Sequence, residues 1–291
     1  MFERILTIIL PVLVIVLIGG VYARRVRPDM RAANKLNMDV CVPLLVFSAL
    51  AAKDFDLLAH WKLVPAAALI VLLSGVLSWP VARLCRIDPR TLLPAMMFNN
   101  CGNMGLPLAL LAFGQQGFQT FVVLFIVSNL LHFTLGAFIF SHHTSLAGLR
   151  RNPIVIATLL GLVFGLSGIT LPAWLMAGIR MLGEMTIPLM LFALGVRMVD
   201  VSFAGWRVGL LGAVLCPLTG LAGAALVIPL LQLAPEQTAL VVLFGALPPA
   251  VLNFLMAELY QQEPERMASI VLIGNLASLL FVPLGLAFAL R

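Results

Sequence analysis

Charged side chains are scarce in this sequence of 291 residues, where Asp, Glu, Lys and Arg make up 10% and hydrophobic residues make up 62%. A water-soluble domain carries about 25% charged residues. The 18 basic and 12 acidic residues are too few to cover a water-facing surface of this size, and they are grouped between long apolar runs. This excludes a soluble protein, and lipid is the expected solvent for most of the surface.

Motifs of several other protein classes are also missing. The four cysteines have no C-x-x-C spacing and lie in apolar surroundings, so we expect neither a zinc site nor a disulfide framework. The phosphate-binding pattern G-x-x-x-x-G-K-[ST] is absent, which excludes ATP-driven transport by this chain alone. An intramembrane enzyme is disfavoured, because the sequence has neither a G-x-S-x-G motif nor clustered His and carboxylate residues. We therefore expect no catalytic residues, no metal and no cofactor.

Ten apolar runs of the length needed to span a bilayer follow one another along the chain. The runs are continuous rather than alternating, and an open sheet would leave backbone groups unpaired in lipid, so strands are not expected. We predict an all-α membrane protein with ten transmembrane helices. Their approximate cores are Ile5–Tyr22, Asn34–Ala51, Leu63–Cys85, Thr91–Phe113, Phe118–Phe140, Ile154–Ser167, Trp174–Val196, Val208–Leu233, Gln237–Tyr260 and Met267–Leu290.

The basic residues are distributed unequally between the two sets of connections. Connections after the odd-numbered segments hold 13 Lys and Arg residues, whereas the opposite set holds four. Because positively charged connections are retained in the cytoplasm, both termini are expected outside it. We expect a multi-pass protein of the cell membrane, which in a bacterium is the inner membrane. The net charge of +6 is divided among short loops, which argues against nucleic-acid binding.

The two halves of the chain resemble each other. Five helices per half is an odd number, so the second half enters the membrane from the opposite side, giving the 5+5 inverted repeat common in secondary transporters. We predict one domain, with a first repeat over residues 1–140, a cytoplasmic linker over 141–153 and a second repeat over 154–291. A shift of 145 residues aligns a base, an acid and a proline of the second segment with counterparts in the seventh: Lys35 with Arg180, Asp39 with Glu184, and Pro43 with Pro188.

The fourth and ninth segments contain residues that interrupt helices. Proline removes an amide donor and clashes with the preceding turn, and glycine permits non-helical dihedral angles. Interrupted segments at corresponding places in two repeats indicate a transporter's binding site. The ends of the half-helices carry partial charges, so they can bind an ion or a polar ligand without placing a fully charged side chain in the membrane. Two kinked packing helices are the alternative. The residues concerned are Asn100, Asn103, Gly105 and Pro107 in the fourth segment, and Pro248, Pro249 and Asn253 in the ninth.

The fourth segment resembles a known motif. Its stretch FNNCGNMGLP is similar to the fourth-helix motif of the auxin efflux carrier family of membrane transporters, which Asn100, Gly105 and Pro107 match. The stretches NPIVIATLLGLVF and IPLMLFALG also resemble the family's sixth and seventh helices. The resemblance implies a crossover fold in which two broken helices cross, a mobile bundle that moves against a scaffold, and small organic anions as substrates. The long regulatory loop of plant members is missing here.

Three ionisable residues inside the segments are candidates for ion coupling: Asp39, Glu184 and His132. Intramembrane carboxylates are expensive to insert and often functional, and either could accept H⁺ or Na⁺. The alternative is that each forms an intrahelical ion pair with the base four residues earlier. His132 could relay protons or form a hydrogen bond to a neighbouring helix. Asp39 and Glu184, like Asn253, match no motif of the family.

Together these observations predict a secondary transporter of a small organic anion, a carboxylate, working by alternating access. Substrate contacts are expected from Asn100 and Asn103, from half-helix amides near Gly105, and from Asn253 on the other side. The lipid bilayer is the other partner, and a homodimer is left open. A passive channel or membrane sensor is the alternative, although the sequence offers no ring of charges and no soluble domain.

Overall fold

The computed structural model describes residues 2–52, 58–141, 150–199 and 205–290, and every regular element in these ranges is a helix. The predicted all-α class is therefore confirmed. Most of the predicted linker falls outside the described residues. The helices are α1 (Phe2–Val26), α2 (Arg31–Leu50), α3 (Leu63–Leu84), α4 (Pro89–Met97), α5 (Cys101–Phe140), α6 (Pro153–Ser167), α7 (Ala173–Arg197), α8 (Trp206–Leu231), α9 (Pro235–Gly245), α10 (Val251–Leu259) and α11 (Pro264–Ala289).

Seven helices of the described ranges are long and apolar enough to cross a membrane. The number is below ten because the fourth and ninth predicted segments are divided into short pieces and α6 has 15 residues. The fourth and fifth predicted segments also share one long helix, α5. This helix is kinked at Gly114, whose φ of 68° is accessible to glycine at little cost. The kink coincides with the predicted boundary between the two segments.

Helices α2 and α7 are irregular at corresponding places. A π-helical turn over Asn37–Cys41 interrupts α2. In α7 the regular helix ends at Glu184 and starts again at Thr186, with Met185 between them. The 145-residue shift that aligns the two halves places Met185 on Val40, inside the π-helical turn. The two irregularities therefore occupy equivalent positions in the alignment of the two halves.

The helices pack as two groups. The scaffold group, as we call it, consists of α1, α2, α6 and α7, and the core group consists of α3, α4, α5, α8, α9, α10 and α11; each packs mainly within itself. Glycines allow close backbone approach, the usual basis of tight helix packing in lipid. A Cβ at Gly19 would collide with the carbonyl of Phe192, and one at Gly195 with that of Val16. These contacts join α1 to α7 within the scaffold group.

A polar cluster joins the start of α4 to the start of α11 at one end of the core group. Thr91 Oγ1 donates to Glu263 Oε2 at 2.7 Å, and Gln262 Nε2 donates to Asp88 Oδ2 at 3.0 Å. Burial raises the pKa of the Asp88 carboxyl, but hydrogen bonds from Arg90 and Gln262 outweigh it and leave the pKa below its usual value. The ionised Asp88 therefore helps to hold the start of α4 against the connection that leads into α11.

Candidate functional site

Two short interruptions divide the predicted fourth and ninth segments. The first covers residues 98–100, between α4 and α5, and the second covers residues 246–250, between α9 and α10. Local chemistry explains both. Pro248 and Pro249 have no amide hydrogen to continue α9, and Asn100 adopts a non-helical backbone with ψ of 50° just before a π-helical turn that contains two glycines.

The interruptions contact each other through backbone hydrogen bonds. Asn100 N donates to Pro248 O at 2.7 Å, and Ala250 N donates to Phe98 O at 2.9 Å. These bonds flank an isolated antiparallel bridge between Asn99 and Pro249. Backbone groups that leave a helix inside a membrane protein need partners within the protein. Here each interruption supplies the partners of the other, which fixes the two side by side.

Side-chain amides reinforce this junction. Asn275, from α11, accepts a hydrogen bond from Asn100 Nδ2 at 2.8 Å and donates to Pro249 O at 3.0 Å. Asn253 Nδ2 donates to Phe98 O at 2.9 Å, and Asn99 Nδ2 donates to Phe244 O at 2.5 Å. The amide donors of Asn100 and Asn253 are thus directed to protein acceptors that hold the interruptions in place.

A cavity of about 240 Å³ lies between the scaffold group and the interruptions. The scaffold side consists of α2 and α7, and the core side consists of both interruptions, α5 and α10. Among the described lining residues there is no Asp or Glu, and Arg197 carries the one permanent charge. The polar lining residues are Asn34, Asn37, Asn99, Asn100, Asn103, Ser128, Asn129, His132 and Arg197.

Two helix N-termini face this cavity. Cys101, Gly102 and Asn103 belong to the first turn after the first interruption, and Val251 and Leu252 begin α10; all five line the cavity. First-turn amides have no intrahelical acceptor, and a helix N-terminus carries a partial positive charge. The last turns of α4 and α9 contribute no lining residue. The cavity is therefore electropositive from two helix ends as well as from Arg197, an arrangement suited to an anion.

Comparison with known proteins identifies the family. The family described as membrane transport protein matches this chain over residues 4–149 and again over residues 142–286. The chain belongs to this auxin efflux carrier family. An uncharacterized transporter of Methanothermobacter thermautotrophicus is 29% identical over 208 residues, which cover 65% of this chain and 67% of that protein. This carrier-family chain is accordingly a membrane transporter, and the comparisons point away from an enzyme.

The residues predicted for the site of this carrier occupy two kinds of position. Asn100 and Asn103 line the cavity, whereas Gly105 lies behind it and a Cβ there would come within 2.8 Å of Phe121 Cε1 and 2.9 Å of Leu247 Cδ1. Pro248 and Pro249 lie within the second interruption, and Asn253 holds the first through its bond to Phe98 O. Pro107 lies in α5, just after the π-helical turn. None of these four residues lines the cavity.

Of the three ion-coupling candidates, one lines the cavity of this transporter and two lie away from it. His132 is buried, lines the cavity, stacks on Phe98 with ring centroids 4.1 Å apart, and has no hydrogen-bond partner for Nε2 among the described residues. Asp39 is exposed and accepts a hydrogen bond from Lys35 Nζ at 2.7 Å, the ion-pair arrangement of the alternative interpretation. Glu184 is exposed. Neither carboxylate lines the cavity.

Several lining or junction residues of the carrier were missed by sequence reasoning. Arg197 was assigned to a cytoplasmic connection because it stands at the end of the seventh segment, and the structure places it in the last turn of α7 beside the cavity. Asn275 is a single amide in an apolar helix. That isolation is the signal that could have indicated it, since a polar side chain in lipid needs a partner. Asn37 and Asn129 were missed as well, and each shares its helix with other amides, so isolation does not single them out.

Proposed function

We propose that this transporter is a secondary carrier of a small organic anion, a carboxylate, and that the anion binds in the 240 Å³ cavity beside the two interruptions. The observation that carries the proposal is that two helix N-termini and Arg197 face one cavity without a described acidic lining residue. Each first turn has backbone amides with no acceptor among the described residues, those of Gly102 and Asn103 in one and of Val251 and Leu252 in the other. The side-chain amide of Asn103 likewise has no hydrogen bond among the described residues.

The proposed mechanism is alternating access by movement of the core group against the scaffold group. Support comes from the packing, since each group packs mainly within itself and the cavity lies between them. The junction between the interruptions lies wholly within the core group, because α4, α5, α9, α10 and α11 all belong to it. It would therefore move as a unit with the bound anion. In this proposal the chain is a 5+5 inverted repeat of ten spans with the broken helices crossing at the junction.

Coupling to H⁺ or Na⁺ is part of the proposal. His132 is the candidate that the geometry favours, because its unpartnered Nε2 belongs to a buried ring at the cavity. Asp39 and Glu184 are less favoured, since they are exposed and lie away from the cavity lining. For orientation we propose that both termini are outside the cytoplasm and that the protein resides in the cell membrane.

Counterflow in proteoliposomes tests this function. Vesicles containing the protein and loaded with unlabelled carboxylates are expected to accumulate the labelled form of the transported one, with and without proton or Na⁺ gradients. Asn103→Ala is expected to reduce this flux, whereas Gln116→Ala, which removes an exposed amide beyond the Gly114 kink, is expected to leave it unchanged. Absence of flux for every carboxylate under every gradient would refute the proposal.

A further inference from the structure

Arg197 has a charge that the described structure leaves without a close partner. It is half-buried in the last turn of α7 and lines the cavity together with Ala193 and Leu194 of the preceding turn. Within the described ranges, no carboxylate approaches its guanidinium to within 4 Å. Arginine stays protonated at physiological pH and carries five N–H donors in a planar fork. The cavity therefore contains a full positive charge whose donors are available to a ligand.

Among the described carboxylates, Glu258 lies close enough to Arg197 to act on it electrostatically, although beyond the distance of an ion pair. It lies in the last turn of α10, is exposed and does not line the cavity. The two charges stand on different helix groups, since α7 belongs to the scaffold group and α10 to the core group. Glu258 thus partly offsets the charge of Arg197 from a distance, without occupying its hydrogen-bond donors.

We propose that Arg197 binds the carboxylate of the transported anion and that the cavity selects anions with one negative charge over those with two. This inference rests on the proposed function. A guanidinium can donate two parallel hydrogen bonds to one carboxylate, which is a strong and directional interaction. The helix N-termini and Asn103 can then stabilise polar atoms elsewhere on the same molecule.

The preference for a single charge follows from the composition of the lining. A second carboxylate entering the cavity would lose its water, and the described lining has no second base to compensate. Dipoles at two helix ends carry only partial charges. A monocarboxylate leaves the occupied cavity close to electrically neutral, whereas a dicarboxylate leaves a negative charge in it. Glu258 would then repel that excess charge, which adds to the discrimination.

Ligand titrations on the purified full-length protein in detergent test this inference. The probes are straight-chain monocarboxylates from acetate to hexanoate, the dicarboxylates from malonate to adipate, and the neutral amide of each monocarboxylate. Affinity is measured by calorimetry and by the shift in melting temperature, since a ligand stabilises the folded state by mass action. The wild type is expected to bind its best monocarboxylate at least about tenfold more tightly than the dicarboxylate of equal chain length.

Variants separate electrostatic recognition from a structural role. Arg197→Gln is expected to weaken monocarboxylate binding about 10- to 100-fold, the loss typical of a charge-assisted hydrogen bond, and to leave binding of the neutral amide unchanged. Arg197→Lys keeps the charge and should recover part of the affinity. Glu258→Gln removes the competing charge and should strengthen binding. Arg180→Gln, in the same helix but outside the cavity lining, should have no effect.

The outcomes that would overturn the inference are distinct from those that would overturn the proposed function. Unchanged monocarboxylate affinity in Arg197→Gln, or tighter binding of dicarboxylates by the wild type, refutes the inference and leaves an organic-anion carrier intact. An equal loss for the acid and for its neutral amide also refutes it, because only a structural role acts on both. If the wild type binds and transports no carboxylate, the proposed function fails and the inference fails with it.

Discussion

Asn275 gives the sharpest test of how the two interruptions are held together. Its side chain is 3% exposed and joins both of them, accepting from Asn100 Nδ2 at 2.8 Å and donating to Pro249 O at 3.0 Å. Asn275→Leu retains the approximate volume and removes both bonds. We expect a lower stability and a large loss of transport, because the junction would lose its link to α11.

The size of the effect can be estimated from the number of bonds lost. Interhelical hydrogen bonds in membrane proteins average about 0.6 kcal/mol, with a maximum near 1.7 kcal/mol. Two such bonds give a loss of about 1 to 3 kcal/mol. The third bond of Asn275, to Val271 O at 2.7 Å, lies within α11 and adds little, because that carbonyl is one turn earlier in the same helix.

Unfolding in detergent and counterflow in proteoliposomes measure the two consequences. Ser278→Ala is the matched control, since Ser278 Oγ donates to Asn275 O within the same helix and links no other element. It should lose no more than about 0.5 kcal/mol and should keep its transport activity. If Asn275→Leu is as stable and as active as Ser278→Ala, the junction does not depend on this side chain and our explanation is wrong.

Three further predictions follow from the same structure. Asn100→Ala should abolish counterflow while the amount of protein in the membrane stays unchanged, and normal flux in this variant would remove the residue from the site. Gly105→Ala should lower the melting temperature and reduce the free energy of unfolding by about 1 to 3 kcal/mol, because the new Cβ meets Phe121 and Leu247. A stability equal to that of the wild type would show that these side chains move aside freely. Asp88→Asn should destabilise the protein at pH 7. Because the pKa of Asp88 is lowered by folding, its stabilising effect is complete above the unfolded pKa of about 3.9 and disappears as the pH falls through the folded pKa. The melting temperatures of Asp88→Asn and the wild type should therefore converge in strongly acidic buffer, and a constant difference would contradict this assignment.

The interruptions could be predicted from the sequence because their cause is local. Proline at 248 and 249 removes backbone donors wherever the segment lies, and glycine at 105 permits a close approach that a side chain would prevent. The partners of the freed groups could not be predicted in the same way. Asn100 Nδ2 reaches an acceptor 175 residues away, on a helix whose single asparagine gave no hint of its direction.

The charged residues show why sequence alone does not predict how deep a residue lies in the membrane or towards which side of its helix it points. Asp39 was predicted inside the second segment as a candidate for ion coupling. The structure shows it exposed and paired with Lys35, because the position of a residue along a segment does not give the helix face on which it lies. Arg197 was assigned to the connection after the seventh segment. A basic residue this close to the end of a helix can lie either in the last turn or in the connection, and the sequence does not distinguish the two. Its contact with the cavity depends on how α7 packs against the interruptions, which is a tertiary property.

In the proposed mechanism, one cavity beside the two interruptions opens alternately to the two sides of the membrane and holds the transported anion. Asn34→Cys, combined with Cys85→Ser and Cys101→Ser to remove the described exposed thiol and the native thiol that lines the cavity, places a reactive group in that cavity at a residue outside the proposed anion contacts. Membrane-impermeant thiol reagents are then applied to right-side-out and inside-out vesicles with and without the carboxylate selected by counterflow. We expect labelling from each face in turn as the anion gradient is reversed, with protection by the bound anion. Simultaneous labelling from both faces, or labelling that no anion affects, would contradict it.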